Sequence, residues 1–172
     1  MSIEGARASS SRPTTSAASA WLIVAFSVLG VGISTYLTIQ HYAKLAVLCP
    51  TSTSAINCAA VLKSAYSTIG STGIPITVPG MAWFIVSGFL AGFWLLGTSG
   101  RRPVPAWIVP AHLIWACIGL ASVLYLVYVE AVRLHEFCEW CSGVHALILL
   151  TFLTTFVRWQ RHMSARYAAQ ET

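Results

Sequence analysis

The chain has 172 residues, of which 56% are hydrophobic and only 9% are charged, and its formal net charge is +5. A soluble domain is usually about one quarter charged, so this composition excludes an ordinary soluble globular protein and indicates a one-domain integral membrane protein. Most of the basic residues lie near the chain ends and in one short loop, without an interleaved aromatic face. This distribution argues against nucleic-acid binding.

Four uncharged or nearly uncharged runs follow one another along the chain. Since about 20 apolar residues cross a bilayer core, they predict membrane spans at about 21–42, 80–97, 104–129 and 138–157. The first run is too long for a cleavable signal peptide. The Ser/Ala/Thr-rich residues 1–19 are predicted to be a disordered cytoplasmic tail, and 161–172 a second cytoplasmic tail. The sequence therefore predicts one membrane domain over residues 20–160.

The positions of the basic residues predict the orientation of these spans. An even number of spans puts both chain ends on one side, and most arginines fall on that side: Arg7, Arg12, Arg101, Arg102, Arg158, Arg161 and Arg166. The other side has only Lys44, Lys63 and Arg133. Because cytoplasmic loops carry the Lys/Arg excess, we expect a multi-pass plasma-membrane protein with both termini in the cytoplasm.

Residues 43–79 form the one long loop, which this orientation places on the outer face. Its segment "INCAAVLKSAYSTIG" has the apolar spacing of a one-sided helix, at Cys58, Val61, Leu62, Ala65, Tyr66 and Ile69. Asn57 is a suitable N-cap, and Gly70 ends the pattern. We therefore expect a short amphipathic helix, which lies on the outer membrane surface or packs on the bundle.

The predicted topology separates the five cysteines. Cys49 and Cys58 lie in the outer loop, and Cys138 and Cys141 lie at the outer end of the fourth span. Cys117 is alone near the middle of the third span. Four cysteines on one face, in a compartment that permits disulfides, should be paired or undergoing exchange.

The spacing of Cys138 and Cys141 suits redox chemistry. A Cys-x-x-Cys pair closes a small reducible disulfide, and the free N–H groups at a helix start stabilise a thiolate, which exchanges rapidly. Structural zinc usually requires two such short spacings, whereas Cys49 and Cys58 are nine residues apart, so no metal site is predicted. A redox relay is favoured, and a pair of static structural disulfides is the next alternative.

The third and fourth predicted spans each contain one histidine, His112 and His145. His145 is four residues after Cys141, so both point to the same helix face, and an ionisable group there suggests a functional role. It is interpreted as a hydrogen-bond donor to a lipid-soluble acceptor, the alternative being a neutral histidine bonded to a neighbouring helix. For His112, deeper in the third span, the structural interpretation is favoured.

The joint pattern over roughly residues 20–160 resembles the vitamin K epoxide reductase family, in its bacterial quinone-reducing branch. It is carried by "FCEWCSGVHALI", by "NCAAVLKSAYSTIGSTGIPITVPGMAWF" with Cys49, and by the order of the four spans. The resemblance implies a four-helix bundle around a quinone, capped by the loop helix. It implies an active-site disulfide between Cys138 and Cys141, with Cys141 facing the quinone and His145 donating to it. Cys58 would exchange with Cys138, and Cys49 with Cys58 would collect electrons from a thioredoxin-fold partner.

Two departures from the family refine these expectations. A fused thioredoxin-like domain, present in some members, does not follow the fourth span, so a separate periplasmic or extracellular carrier is expected. The asparagine that vertebrate enzymes have before span two is missing from "IPITVPG", where Thr77 is the nearest polar residue. A quinone, menaquinone or ubiquinone, is therefore favoured over vitamin K epoxide as the substrate.

The sequence thus predicts an all-α membrane enzyme, a quinone-dependent thiol oxidoreductase that drives disulfide formation in a partner. The alternative is a non-catalytic or metal-binding membrane protein whose outer cysteines are structural.

Overall fold

The described part of the computed structural model, residues 14–43, 49, 51, 55–98 and 105–170, is almost entirely helical and contains no strand. The five α-helices are α1 (Thr14–Ala43), α2 (Cys58–Lys63), α3 (Thr77–Thr98), α4 (Ile108–Tyr128) and α5 (Glu139–Ala168). A short 3-10 turn, Ala65–Ser67, follows α2, and a π-helical turn, Val129–Leu134, continues α4.

Four helical segments are long and apolar enough to cross a membrane: Ala17–Ala43, Thr77–Gly97, Ile108–Leu134 and Glu139–Ala168. The predicted all-α bundle of four spans with a short loop helix is therefore confirmed.

The helices extend beyond the apolar spans. α1 begins at Thr14, within the segment predicted as the first tail, and α5 continues to Ala168, within the second. Helical hydrogen bonding needs no apolar side chains, and alanine, frequent in both extensions, is the strongest helix former. Residues 1–13 and 171–172 lie outside the described part of the chain.

The loop helix is shorter than its apolar pattern. Asn57 caps α2 as predicted, because its Oδ1 accepts a hydrogen bond from Ala60 N at 3.1 Å. The helix ends at Lys63, since Ser64 is extended and its Oγ donates to Val61 O at 2.8 Å. Serine side chains often satisfy backbone carbonyls in this way and so end helices early. Gly70 adopts a φ of 53°, which suits a residue without Cβ.

Close approaches through small residues hold the spans together. α1 packs against α3 and α5, and α4 packs against α5 and α3. The ring of Trp83 lies against Gly119, where an added Cβ would come within 2.5 Å of the ring. Trp83 Nε1 donates to Trp115 O at 3.0 Å, and Trp115 Nε1 donates to Trp83 O at 3.2 Å. Because lipid offers no hydrophobic driving force between helices, such packing and bonding supply the association energy.

The two ends of the bundle carry different residues, cysteines at one end and arginines at the other. At the cysteine end, α1 ends, α3 begins, the π turn follows α4, and α5 begins after its N-cap residue Cys138. At the arginine end, α5 carries Arg158, Arg161 and Arg166.

Candidate functional site

The loop before α2 is fixed to the start of α5 by backbone hydrogen bonds. Asn57 N donates to Phe137 O at 3.0 Å, and Phe137 N donates to Ala55 O at 2.9 Å, a short parallel pairing. Cys58 directly follows Asn57, and Cys138 directly follows Phe137. The pairing therefore sets the two cysteines side by side.

A second contact anchors the loop nearer to Cys49. Thr51 donates twice to Glu139 Oε2, from its backbone N at 3.2 Å and from its Oγ1 at 3.0 Å. Glu139 lies in the first turn of α5, where a carboxylate also interacts favourably with the helix dipole. The segment between Cys49 and Cys58 is thus tied to the start of α5 near each of the two cysteines.

The four cysteines at this end are in two different states. Cys49 and Cys58 form a disulfide with Cα atoms 6.0 Å apart, and Cys58 N donates to Cys49 Sγ at 3.2 Å. Cys138 and Cys141 are not bonded to each other or to another cysteine. A closed cysteine pair therefore lies beside an open one.

The two pairs meet in one buried cluster. Cys58 and Cys138 are 1% and 0% exposed, and they pack together with Leu37 and Leu62. The remaining two cysteines, Cys49 and Cys141, pack against this cluster and are only partly buried. The structure thus brings together all four cysteines that the sequence analysis singled out.

Cys138 occupies the N-cap of α5, and its sulfur accepts a hydrogen bond from Cys141 N at 3.3 Å. The pKa of the Cys138 thiol is lowered, first by the hydrogen bond from the Cys141 side chain and further by the backbone N–H groups of Cys141 and Trp140. Burial and the Glu130 carboxylate act in the opposite direction. The start of α5 therefore favours the thiolate form of Cys138 more than an ordinary cysteine environment does.

A cavity of about 580 Å³ lies directly below this cluster, within the bundle. Its walls are mainly apolar and aromatic, with Trp83, Trp115 and Tyr125 among them. Five smaller polar or sulfur-bearing residues also line it: Ser34, Thr77, Ser122, Cys141 and His145. Small-molecule sites typically have this volume and this mixture of apolar walls with few polar groups. A quinone, which has a flat ring with two carbonyl acceptors, fits such a lining.

The predicted ligand-binding residues differ in their surroundings. His145 is 8% exposed, and Thr77 Oγ1 lies 2.7 Å from Thr38 Oγ1, where either oxygen can donate. His112 is 1% exposed but lies away from this cavity, and neither of its ring nitrogens has a hydrogen-bond partner in the described part of the chain. Cys117 is exposed on α4, apart from the other cysteines. The sequence-based separation of Cys117 from the other four cysteines agrees with these positions.

A smaller cavity of about 60 Å³ adjoins the first and contains a residue that the sequence analysis overlooked. Glu130, in the π turn, is 4% exposed and lines this cavity together with Cys141 and His145. The available signal was a carboxylate at the end of an otherwise apolar span, a feature that is usually functional.

No three His, Cys, Asp or Glu side chains of the described residues are grouped so that they could hold a metal ion. The cysteine end therefore has the geometry of sulfur exchange beside an apolar cavity.

These features define a polytopic helical membrane protein with two adjoining cysteine pairs at one end of its bundle. The chain belongs to the vitamin K epoxide reductase family, whose family model matches residues 21–156. The match includes both cysteine pairs and His145. No curated protein matches the sequence. Membership implies, in general terms, a membrane oxidoreductase that links disulfide chemistry to a quinone.

Proposed function

We propose that this protein oxidises a reduced thioredoxin-fold partner outside the cytoplasm and passes the electrons through two cysteine pairs to a membrane quinone. The partner thereby gains a disulfide. The observation that carries the proposal is the burial of Cys58 beside Cys138, with Cys141 on the wall of the adjoining cavity.

The burial of the loop pair determines where the partner attacks. Cys58 is 1% exposed, whereas Cys49 is only partly buried. A partner thiolate therefore attacks Cys49, forms a mixed disulfide with it, and releases Cys58 as a thiolate. The partner's second thiol then displaces Cys49, which leaves the partner oxidised and the loop pair reduced.

The second exchange uses the contact between Cys58 and Cys138. The Cys58 thiolate attacks Cys138 in the Cys138–Cys141 disulfide, forms a Cys58–Cys138 bond, and releases Cys141. Cys49 next attacks Cys58, which restores the loop disulfide and releases Cys138. The hydrogen bonds at the α5 N-terminus stabilise Cys138 as a thiolate, which makes it a good leaving group.

The large cavity supplies the binding site for the electron acceptor. A quinone bound there accepts two electrons and two protons and leaves as a quinol. Cys141 lies on the wall and faces it, and His145 offers an N–H to a ring oxygen, where negative charge is stabilised. Trp83 and Trp115 hold the wall closed through their reciprocal hydrogen bonds. The apolar lining suits menaquinone or ubiquinone, and surrounding membrane lipid is the reservoir for either.

The proposed orientation follows the charge distribution. Arg158, Arg161 and Arg166 lie at the arginine end, so this end faces the cytoplasm of a plasma membrane, together with both termini. The cysteine end then faces outward, where disulfides persist.

Trapping the exchange intermediate tests this route. In a Cys49→Ser/Cys141→Ser double variant, we expect a stable Cys58–Cys138 bond, identified by peptide mass analysis. In wild-type protein, we expect oxidation of a thioredoxin-fold dithiol to be coupled to quinone absorbance loss. Absence of the bond, together with a loss of thermal stability but not of activity in cysteine variants, would instead identify structural disulfides.

A further inference from the structure

The first inference concerns Glu130 and rests on the proposed function. Glu130 belongs to the π turn Val129–Leu134, which turns both Val129 and Glu130 inward, since they are 3% and 4% exposed. Their neighbour Tyr128 is 51% exposed. π turns are rare and frequently occur at functional sites. Here the turn directs a carboxylate into the bundle beside the cysteines.

The position of Glu130 connects the two redox partners. It lines the 60 Å³ cavity with Cys141 and His145, both of which also line the large cavity. Its charge acts on Cys138 as well as on Cys141. The walls between these groups are largely apolar, with Leu62, Leu126 and Val129 among them, so a proton needs an ionisable side chain to cross.

Proton balance shows what such a group would do. Closing the Cys138–Cys141 disulfide gives the quinone two electrons, and the quinol also needs two protons. Where Cys138 reacts as the thiolate, the Cys141 thiol supplies one of these protons. The other was released into water by the partner's dithiol during the earlier exchanges and is taken up again from water. We propose that the Glu130 carboxylate accepts a thiol proton from this pair and returns it, through the His145 imidazole, to a quinone oxygen. Glu130 ends each cycle as the carboxylate it was at the start.

Other ionisable groups surround the same cavity. The cavity lining includes four of them: His41 of α1, Tyr66 of the 3-10 turn, and Cys141 and His145 of α5. The lining residues from α2 and α3 are not ionisable, and Arg133 of the π turn lies outside the lining. Arg133 is directed to the Tyr66 ring, with Cζ 5.9 Å from its centroid. Of these, Cys141 and His145 also line the large cavity, so they are the groups that connect Glu130 to a bound quinone.

Glu130→Gln tests this role, with Glu136→Gln as the matched control because Glu136 lines neither cavity. We expect Glu130→Gln to slow quinone reduction about 100-fold, the lower end for a lost proton-transfer group. Cys58–Cys138 trapping should stay unchanged. In reduced, quinone-free protein, the pH midpoint for Cys138 alkylation should fall, because the opposing carboxylate charge is removed.

Each outcome separates this inference from the proposed function. Wild-type protein without quinone reduction would contradict the function itself. A second outcome would overturn only the role of Glu130. It is normal quinone reduction by wild-type protein, together with Glu130→Gln and Glu136→Gln variants that have the same rate of quinone reduction or the same pH midpoint of Cys138 alkylation.

A second inference comes from the arginine end and is independent of redox chemistry. A cavity of about 580 Å³ opens there between the four long helices, with apolar walls that include Leu22 of α1, Val109 of α4, and Leu153 and Val157 of α5. At one side of this apolar space lie Arg158, Arg161 and His162.

Arg158 is the central residue of this cavity. Its side chain is 9% exposed, its Cζ lies 4.7 Å from the centroid of the Trp94 ring, and its Nη1 has no hydrogen-bond partner within the described residues. His162 Nδ1 is likewise buried without a described partner. Buried donors of this kind are costly unless something accepts their hydrogen bonds.

The described part of the chain offers no anion for these groups. Its acidic residues, Glu130, Glu136 and Glu139, all lie at the cysteine end. A guanidinium binds phosphate in a bidentate manner, and basic pockets between spans bind anionic lipid headgroups. We propose that this cavity binds an anionic phospholipid, whose phosphate contacts Arg158, Arg161 and His162 and whose acyl chain follows the apolar wall.

Native mass spectrometry of delipidated protein tests this site. The probes are dioleoyl phosphatidylglycerol and dioleoyl phosphatidylcholine, which have the same acyl chains and differ in headgroup charge. We expect preference for phosphatidylglycerol, and a loss of about fivefold in its affinity for each of Arg158→Gln and Arg161→Gln. Arg166→Gln is the matched control, since Arg166 is exposed on the same helix and lies outside the cavity.

Arg161 is exposed, so its variant keeps the test valid if Arg158→Gln does not fold. Equal affinity for the two lipids, or an equal loss in Arg166→Gln, would overturn the site. Displacement of phosphatidylglycerol by millimolar inorganic phosphate would assign the site to a soluble anion instead.

Discussion

The polar groups at the two ends of the bundle satisfy their bonding in different ways. At the cysteine end, Thr51 bonds to Glu139, Asn57 bonds to Phe137, and the Cys138 sulfur accepts from Cys141. At the arginine end, Arg158 and His162 keep buried nitrogens without partners in the described residues. The cysteine end also has buried atoms without a described partner, but these are the acceptor oxygens Gln40 Oε1 and Glu136 Oε2. The two ends therefore differ in chemistry, since the groups of Arg158 and His162 that lack a described partner at the arginine end are nitrogens.

The largest effects should come from breaking the cysteine end. Either Cys138→Ala or Cys141→Ala should reduce coupled thiol oxidation and quinone reduction to the background rate, because each removes one sulfur of the active pair. Quinone absorbance and thiol titration measure this. Retained coupling in both variants would show that the sulfur route is wrong.

A smaller but clear effect is expected from the packing of the cavity wall. Gly119→Ala places a Cβ within 2.5 Å of the Trp83 ring, which must shift and strain its bonds with Trp115. Overpacking of this kind costs about 1–3 kcal/mol, so we expect a lower unfolding temperature and weaker quinone binding. Gly92→Ala is the control, since nothing lies within 4 Å of that added Cβ, and it should leave both quantities unchanged.

Loosening the loop anchor should have a more moderate effect. Thr51→Val removes the side-chain hydrogen bond to Glu139 but keeps the backbone one. Because a net hydrogen bond contributes about 1 kcal/mol, we expect about fivefold slower formation of the Cys58–Cys138 bond in the trapping variant. Quench-and-alkylate sampling follows this rate. An unchanged rate would mean that the pairing of Asn57 with Phe137 is sufficient.

The pH dependence sharpens the role of the α5 N-terminus. Because the pKa of Cys138 is lowered, its alkylation in reduced protein should have a midpoint below the ordinary thiol value of about 8.5. The midpoint should rise in Cys141→Ala, which removes the side-chain donor. A thiol pKa that is lower in the folded than in the unfolded protein stabilises the reduced fold. This stabilisation is complete when the pH is above the pKa of the unfolded thiol. It is lost as the pH falls through the pKa of the folded thiol. The stabilisation is measured by denaturant unfolding of the reduced protein at several pH values, with Cys138→Ala as the reference. If Cys141→Ala left the pH midpoint of Cys138 alkylation unchanged, the hydrogen bond from Cys141 would not be the cause of the lowered pKa.

The smallest effect is expected at the remaining cysteine. Cys117 is exposed on α4 and lines neither cavity at the cysteine end. Cys117→Ser should leave activity, quinone affinity and the unfolding temperature within experimental error of wild type. A marked loss would extend the sulfur chemistry beyond the cysteine end.

The sequence predicted the features that depend on pattern. Apolar runs gave the four spans, and the Asn57 cap was correctly located because capping depends on a few neighbouring residues. The early end of α2 was not predicted, since it depends on how Ser64 bonds locally. The resemblance implied that Cys58 and Cys138 would meet, but their pairing through Ala55 and Phe137 joins segments about 80 residues apart and has no local signature.

The inward position of Glu130 shows the same limit. Continuation of an α-helical period does not reveal that the helix changes to a π turn at Val129, which determines the side chain's direction. The reciprocal bonds of Trp83 and Trp115 also escaped prediction, because each tryptophan alone suits a membrane boundary as well as a cavity wall.

The pairing between Ala55–Asn57 and Phe137 has a consequence for catalytic timing. It is made by backbone atoms and not by the sulfurs, so it does not itself depend on a disulfide between the loop and α5. A thiol released from the loop pair thus stays tethered beside its next target instead of diffusing away. Holding reactants this way raises their effective concentration far above that of any free thiol in solution. In the proposed exchange, each electron pair would therefore pass inward before a stray oxidant could intercept it.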